Sequence, residues 1–352
     1  MLKNILVLSI VFSFTVLVLL AFQKKLPLLS FNKTTGIVRS QPTELAKTNN
    51  SGVQKINDIE IERLNLQKEL QAEFDAIGTP NDVGFYYKNI NGAYEIEINA
   101  DRPFNPASTA KAFVVVEAFR QRRSGLVNFD SRVTIKKENV VPNELETADY
   151  QPLRAGVKAT IRELVEAMIT QSDNTAFNTL IDVLDRRNIT ITLRKLGLEA
   201  SVVGEKLNLS DEQFSADASV TGRQQNRTTA RDFGRLFTLL YEGKIDDSEE
   251  MLAIFKKQKY NDMIPKLLPT EIKIAHKTGF SSPNFHDGGI VYKPGDPFTL
   301  AIFTSENDPN IVARFAKICY FKSRDVLGEN TTSRYGQFQE FIDQIKNLVK
   351  IN

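Results

Sequence analysis

A serine and a lysine stand three residues apart, Ser108 and Lys111, at the head of the apolar run "FVVVEAF". On a helix, positions i and i+3 share a face, so the hydroxyl and the amine would point the same way at the first turn. A serine hydroxyl attacks poorly until something takes its proton. A lysine can take it only when its pKa falls from about 10.4 towards neutrality, which desolvation against apolar walls achieves. Ala112, Phe113, Val114 and Val115 offer such walls. The start of the helix adds unpaired N–H groups where an oxyanion would form. The chemistry this pair suits is acyl transfer through a serine ester.

By itself the pair is a weak motif, because Ser30 and Lys33 match it as well. The pattern S-x-N is no stronger, since it occurs at Ser172–Asp173–Asn174 and again in "SPN" (282–284) and "SEN" (305–307). Lys277–Thr278–Gly279 occurs once, on a stretch that reads as a strand. Order and setting carry more weight than any one of them. Ser108 begins an apolar helix, Ser172 follows 64 residues later where two helices meet, and Lys277 lies 105 residues further on.

In that order the three motifs resemble the elements of class A β-lactamases and their penicillin-binding relatives, a superfamily of serine acyl-enzymes. The resemblance extends through "INADRPFNPASTAK" and "YQPLRAGVKATIRELVEAMITQSDNTAFN" and spans about residues 60–350. It implies that Ser108 attacks the amide of a β-lactam or a cell-wall peptide and that Lys111 holds the proton relay. Ser172 would pass a proton to the departing nitrogen, helped by Lys277, whose charge also attracts a substrate carboxylate. Asn174 would bind Lys111 and the substrate's side-chain amide, Thr278 would bind the carboxylate, and Gly279 completes the third motif. The N–H groups of Ser108 and Phe280 would form the oxyanion hole, and Tyr150 resembles the aromatic residue at the cleft rim, although a packed surface aromatic is the competing reading. The implied function is a serine hydrolase of class A β-lactamase type. The alternative is a D,D-peptidase, or a penicillin-binding or sensor domain that releases its acyl group slowly or never.

Several positions depart from that pattern. The family's water-activating glutamate sits in a loop reading E-x-x-L-N. Aligning "GEKLN" on Leu207 and Asn208 brings Gly204 or Glu205 near the required place, one residue out of register. Glu205 is the first candidate, with Asp211 and Glu212 behind it, and a solvated loop carboxylate is the competing reading. Phe280 stands where the family has a small residue, so the cleft is expected to be narrow. Arg334 is the candidate for a supporting carboxylate contact. His276 and His286 read as packing or rim residues.

The elements that must position these groups follow from periodicity. Asp58 is expected to cap a helix over Ile59, Leu64, Leu66, Leu70 and Phe74 that ends at Gly78. "VGFYY" and "AYEIEI" read as a hairpin. Thr160 and Glu163 form a capping box ahead of a helix through Met168, and a second apolar set starts at Phe177, which puts "SDN" at a helix junction. Residues 199–227 read as a long loop and 228–243 as a helix. "EIKIAHKTGF", "GGIVY" and "FTLAIFT" read as strands, and an apolar face from Phe338 to Val349 reads as a last helix. Strands, helices, strands, helix suggests an α/β (α+β) fold: an antiparallel sheet formed by both chain ends with a helical subdomain inserted.

The 352 residues allow one large domain, and 41% apolar with 25% charged residues is ordinary for a globular chain. A net charge of +2 gives no reason to expect nucleic acid. One cysteine, Cys319, excludes an internal disulfide, and with two histidines a metal site is not expected; no cofactor is implied. Residues 5–22 are 18 uncharged residues between Lys3 and Lys24. At about 1.5 Å per residue they just cross a hydrocarbon core of about 30 Å. The expected organisation is therefore a membrane anchor or signal at 1–25, a flexible tether at 26–57 and the hydrolase domain at 58–352. The domain lies outside the cytoplasm, anchored by a single span or secreted if the segment is cleaved. Oligomeric state is not legible.

Overall fold

The computed structural model describes residues 45–77, 79–91, 94–141, 150–208 and 225–323. The chain divides between Val53 and Gln54 into two compact units, and the sheet and helices that frame the motifs belong to the second. Helix α1 runs from Leu45 to Ile77, so Asp58 lies inside it rather than capping it, and residues 45–57 of the expected tether are helical. That stretch has no apolar stripe, but it is free of proline and carries helix formers such as Ala46, Lys47 and Gln54. The apolar segment 5–22 and the apolar face at 338–349 fall outside the described residues. Among the described residues no helix is long and apolar enough to cross a membrane.

The main sheet has five strands: β1 (Val83–Asn89) and β2 (Tyr94–Ile98) form the expected hairpin, and β5 (Ile274–Ser281), β6 (Asn284–Val291) and β7 (Phe298–Thr304) form the expected meander. The short strands β3 (Arg132–Thr134) and β4 (Lys158–Thr160) pair separately. Spatial order in the main sheet is β2-β1-β7-β6-β5, antiparallel throughout, with Phe85 opposite Ile302 at the join. Early and late parts of the chain thus close one sheet.

Both faces of that sheet are covered, which is why β1 and β7 read as near-continuous apolar runs. One face packs Phe85, Tyr87 and Ile302 against Leu66, Leu70 and Phe74 of α1 and Phe315 of α8 (Asn310–Lys322). The other face packs Tyr86 and Phe303 against α6 (Ala230–Tyr241) and the helical layer beyond it. That layer holds α2 (Ala110–Arg123), α3 (Ile161–Thr170), α4 (Asn174–Leu184), α5 (Arg186–Lys195) and α7 (Ser248–Phe255).

Helix α2 is the centre of the helical layer. Every residue from Ala110 to Phe119 is buried, as befits a helix that is apolar nearly all round. The one carboxylate in that run, Glu117, is bonded by Arg120, Gln121 and Thr192 at 2.6–2.7 Å, so its charge is compensated. Helix α3 starts with the expected capping box, Thr160 accepting from Glu163 N–H and Glu163 accepting in return. Helices α5, α7 and α8 are additions to the elements legible beforehand. In the first, Ile189, Ile191 and Leu193 alternate with polar residues as in a strand, and the second is too short to show a clear stripe. The third does carry one, through Ile311, Phe315 and Cys319.

Candidate active site

Three elements meet around one cavity of about 680 Å³, which is lined by Ser108, Ser172, Asn174 and Thr278 among others. Ser108 sits in a 3-10 turn, Ala107–Thr109, that leads straight into α2, one turn before the α-helix proper. Lys111 is fully buried on the first turn of α2, and its Nζ lies 2.8 Å from Ser108 Oγ. The i and i+3 spacing therefore does what it promised.

Ser172, Asp173 and Asn174 form the bend between α3 and α4. Asp173 caps α4 by accepting from Ala176 N–H at 2.5 Å, which fixes where its neighbours point. Lys111 donates to the Ser172 carbonyl at 2.5 Å and to Asn174 Oδ1 at 2.6 Å, and lies 3.1 Å from Ser172 Oγ. Two non-glycine residues here hold left-handed backbone, Ala107 with φ 47° and Ser172 with φ 57°. Such a conformation costs of order 1–3 kcal/mol each and concentrates at functional sites, where surrounding contacts hold it.

Strand β5 brings the third motif. Lys277 is fully buried and donates to Ser172 Oγ at 3.0 Å and to the Thr278 carbonyl at 2.9 Å. Burial and the nearby Lys111 charge push its ammonium well below the usual lysine range, and Asp287 works against them. Gly279 is required by close packing: a Cβ there would meet the Pro106 carbonyl at 2.8 Å and Thr109 N at 3.1 Å. The bare backbone of β5 thus lies directly against the turn that bears Ser108. Thr278 lines the cavity and accepts from Gln258 Nε2 at 3.3 Å.

The rim is aromatic. Phe280, 60% exposed, packs its ring on Phe285 at 4.8 Å between centroids, and both line the cavity. Tyr150 lines it too and donates to Asp173 Oδ2, while Tyr260 reaches across the mouth to the Gln171 carbonyl at 3.2 Å.

Glu205 is placed elsewhere. It lines a separate cavity of about 530 Å³ with Phe104, Asn105 and Arg227, and among the described residues the two cavities share no lining residue. The backbone there is clamped. Asn226 Oδ1 accepts from the N–H groups of Gly204 and Glu205 at 2.8 and 3.1 Å, its Nδ2 donates to the Glu205 carbonyl at 3.1 Å, and Arg186 donates to the Gly204 carbonyl at 2.6 Å. Further along, Asn178 brackets Leu207 through both its N–H and its carbonyl, at 2.8 and 3.0 Å, and Asn208 then lines the Ser108 cavity. The Leu207–Asn208 alignment therefore leads to the cavity, while Glu205 lines the other one. Asp211, Glu212 and Arg334 lie outside the described residues.

The histidines have structural partners. His286 is fully buried, accepts from Thr304 N–H through Nδ1 and donates to the Asn105 carbonyl through Nε2. Burial pushes its pKa down to about 4, so it is neutral near pH 7. His276 donates from Nδ1 to buried Asp287 at 2.9 Å. Among the described residues no group of acidic, histidine and cysteine side chains could hold a metal.

A family model described as the β-lactamase enzyme family matches residues 65–321. The chain belongs to that family. A β-lactamase from Bacteroides uniformis is 26% identical over 219 residues, covering 55% of this chain and 70% of that protein. Among solved structures, a PBP-A mutant in an acyl-enzyme complex with penicillin G matches with a TM-score of 0.62 at 26% identity, over 73% of this chain and 95% of that one. A β-lactamase from Chitinophaga pinensis DSM 2588 matches with a TM-score of 0.63, over 74% and 100% of the two chains, and at 19% identity it speaks for the fold. This chain is thus a β-lactamase-type serine hydrolase, with the mixed α/β fold that its motifs implied.

Some residues of this β-lactamase-family site were not legible beforehand. Asn178 was within reach, since it follows Asn174 by one helical turn on the same face. Tyr260, Gln258 and Asp287 come from a loop and a neighbouring strand, with no local pattern to mark them.

Proposed function

We propose that the domain opens β-lactam amides through an ester on Ser108. The Ser108 Oγ–C bond forms as the lactam C–N bond breaks. The hydroxyl proton passes to Lys111 Nζ and, by way of Ser172 Oγ, to the departing nitrogen. Lys277, on the far side of Ser172, supplies positive charge for the substrate carboxylate, with Thr278 beside it. The Ser108 and Phe280 N–H groups take the oxyanion, which the close approach of β5 to the 3-10 turn supports. The observation that carries this reading is Lys111 Nζ at 2.8 Å from Ser108 Oγ and 3.1 Å from Ser172 Oγ, a continuous path for one proton. A fluorescent penicillin followed over time on the full chain tests it: a labelled band should form within minutes and fade as free penicilloate appears. No band at all would end the proposal.

A second reading keeps the acyl-enzyme and drops fast release, as in a penicillin-binding sensor or a D,D-peptidase. The placement of Glu205 in a different cavity favours it. In that case the band forms and persists for hours.

We further propose that the domain works outside the cytoplasm, held by residues 5–22. The support is 18 uncharged residues flanked by lysines. Recovery of the full chain in the soluble cytoplasmic fraction would count against it.

A further inference from the structure

The two buried lysines pose a problem that Ser172 cannot solve. Both reach the same hydroxyl oxygen, Lys111 at 3.1 Å and Lys277 at 3.0 Å. Two ammonium groups around one acceptor repel each other, and burial strips the water that would ease either charge. Acylation needs them unlike: Lys111 uncharged to accept a proton, Lys277 charged. The hydrogen bonds of Lys277 go to neutral oxygens, so none of them chooses between the two states.

The choosing group lies behind the strand. Asp287 stands opposite Thr278 in the β5–β6 ladder, on the face of the sheet away from Lys277. Its carboxylate is fully buried. His276 Nδ1 donates to Oδ1 at 2.9 Å, and Ile264 N–H donates to Oδ2 at 3.1 Å. An ionised carboxylate only accepts hydrogen bonds, and both of these contacts present it with a donor.

Several other charged groups among the described residues near β5 have partners of their own. His286, on the Lys277 face of β6, is neutral. From α7, Glu250 pairs with Arg122 and Arg162, and just beyond that helix Lys256 sits over the Tyr292 ring. Lys266 bonds Asn310, and Asp173 is taken by Tyr150 and the α4 cap. Asp262 is exposed at the cavity wall. Burial, and Lys111 whenever it is charged, work against a proton on Lys277; among the described residues Asp287 is the carboxylate that opposes them.

We propose that Asp287 is a positioning residue for the proton relay: its buried carboxylate, acting through strand β5, keeps the proton on Lys277 and so leaves Lys111 uncharged to activate Ser108. This rests on the acyl-enzyme reading above. Low-polarity surroundings make such a through-strand field stronger than it would be in water.

The test is the pH profile of acylation of the full chain by a chromogenic cephalosporin. Asp287→Asn retains an acceptor for Ile264 N–H and removes the charge. It should slow acylation about tenfold on the alkaline side of the profile, equivalent to one pKa unit on Lys277, and leave the acid side within twofold. Asp287→Glu should restore the alkaline limb. In a Lys277→Arg background, slower in itself but holding a guanidinium that stays charged, Asp287→Asn should add no further loss. An equal loss at every pH, or the same loss in the arginine background, would show a merely structural role and overturn the proposal. Should Asp287→Asn not fold, lysine-selective NMR of the unsubstituted chain decides. The Lys277 signal, identified by its absence in Lys277→Arg, must be that of an ammonium at pH 8 while Lys111 is neutral, and the reverse order overturns the proposal. Failure of the unsubstituted chain to acylate at all would instead remove the reading beneath it.

Discussion

Residues 103–105 line one cavity, and Ser108, three residues on, lines another. Around Ser108, side chains from three separate stretches of chain converge on two hydroxyl oxygens, with Lys111 held by bonds of 2.5–3.1 Å and Lys277 by bonds of 2.9 and 3.0 Å. Around Glu205 the contacts that Asn226 and Arg186 make are to backbone atoms of Gly204 and Glu205, and the residue lines the second cavity. The contrast separates two halves of a hydrolase's work. On the proposed mechanism, forming an ester would use the convergent groups at Ser108. Releasing it needs a base placed for water, and Glu205 is not in the cavity where that water would stand.

Substitutions can break this contrast, beginning where the effect is largest. Ser108→Ala should abolish covalent labelling by penicillin while the far-ultraviolet circular dichroism stays that of a folded chain, because the residue is only half-buried and its loss leaves no cavity in the core. Labelling that survives would move the nucleophile elsewhere. Lys111→Ala should slow labelling about a thousandfold, within the range of a lost general base. Stopped-flow acylation at unchanged speed would refute the role given to the amine. Glu205→Gln should change the decay of the labelled band by less than twofold. A large slowing would mean that the loop swings its carboxylate into the Ser108 cavity during turnover, and the distinction drawn between the two cavities would fail.

A slower lever acts on stability. His286 accepts from Thr304 N–H, so protonating it when folded would set two donors against each other. Its folded pKa of about 4 lies below the ordinary value of 6.5. A depressed value means stability that is whole above pH 6.5 and is lost as pH falls towards 4, by at most about 3 kcal/mol for a shift of this size. Urea denaturation between pH 7 and 4 measures it, and His286→Gln should flatten the slope.

Much of this molecule is local in origin and was legible as such. Ser108 and Lys111 share a face because of helical spacing, Thr160 and Glu163 cap each other within one turn, and "FTLAIFT" is a strand by its own composition. The early extension of α1 escaped notice because it carries no apolar stripe, and a helix once nucleated can be extended residue by residue without one. Which cavity a loop carboxylate enters is another kind of question. The backbone of Glu205 is held by Asn226, 21 residues later, and no spacing along the chain encodes that grip. Asp287 likewise owes its place behind Lys277 to the register of β5 on β6. The amino-acid order by itself determined which chemical groups were present and how near neighbours would face. Tertiary structure alone decided which of them share an oxygen or a field, because hydrogen bonds and buried charges act over a few ångströms of space, whatever the distance along the chain.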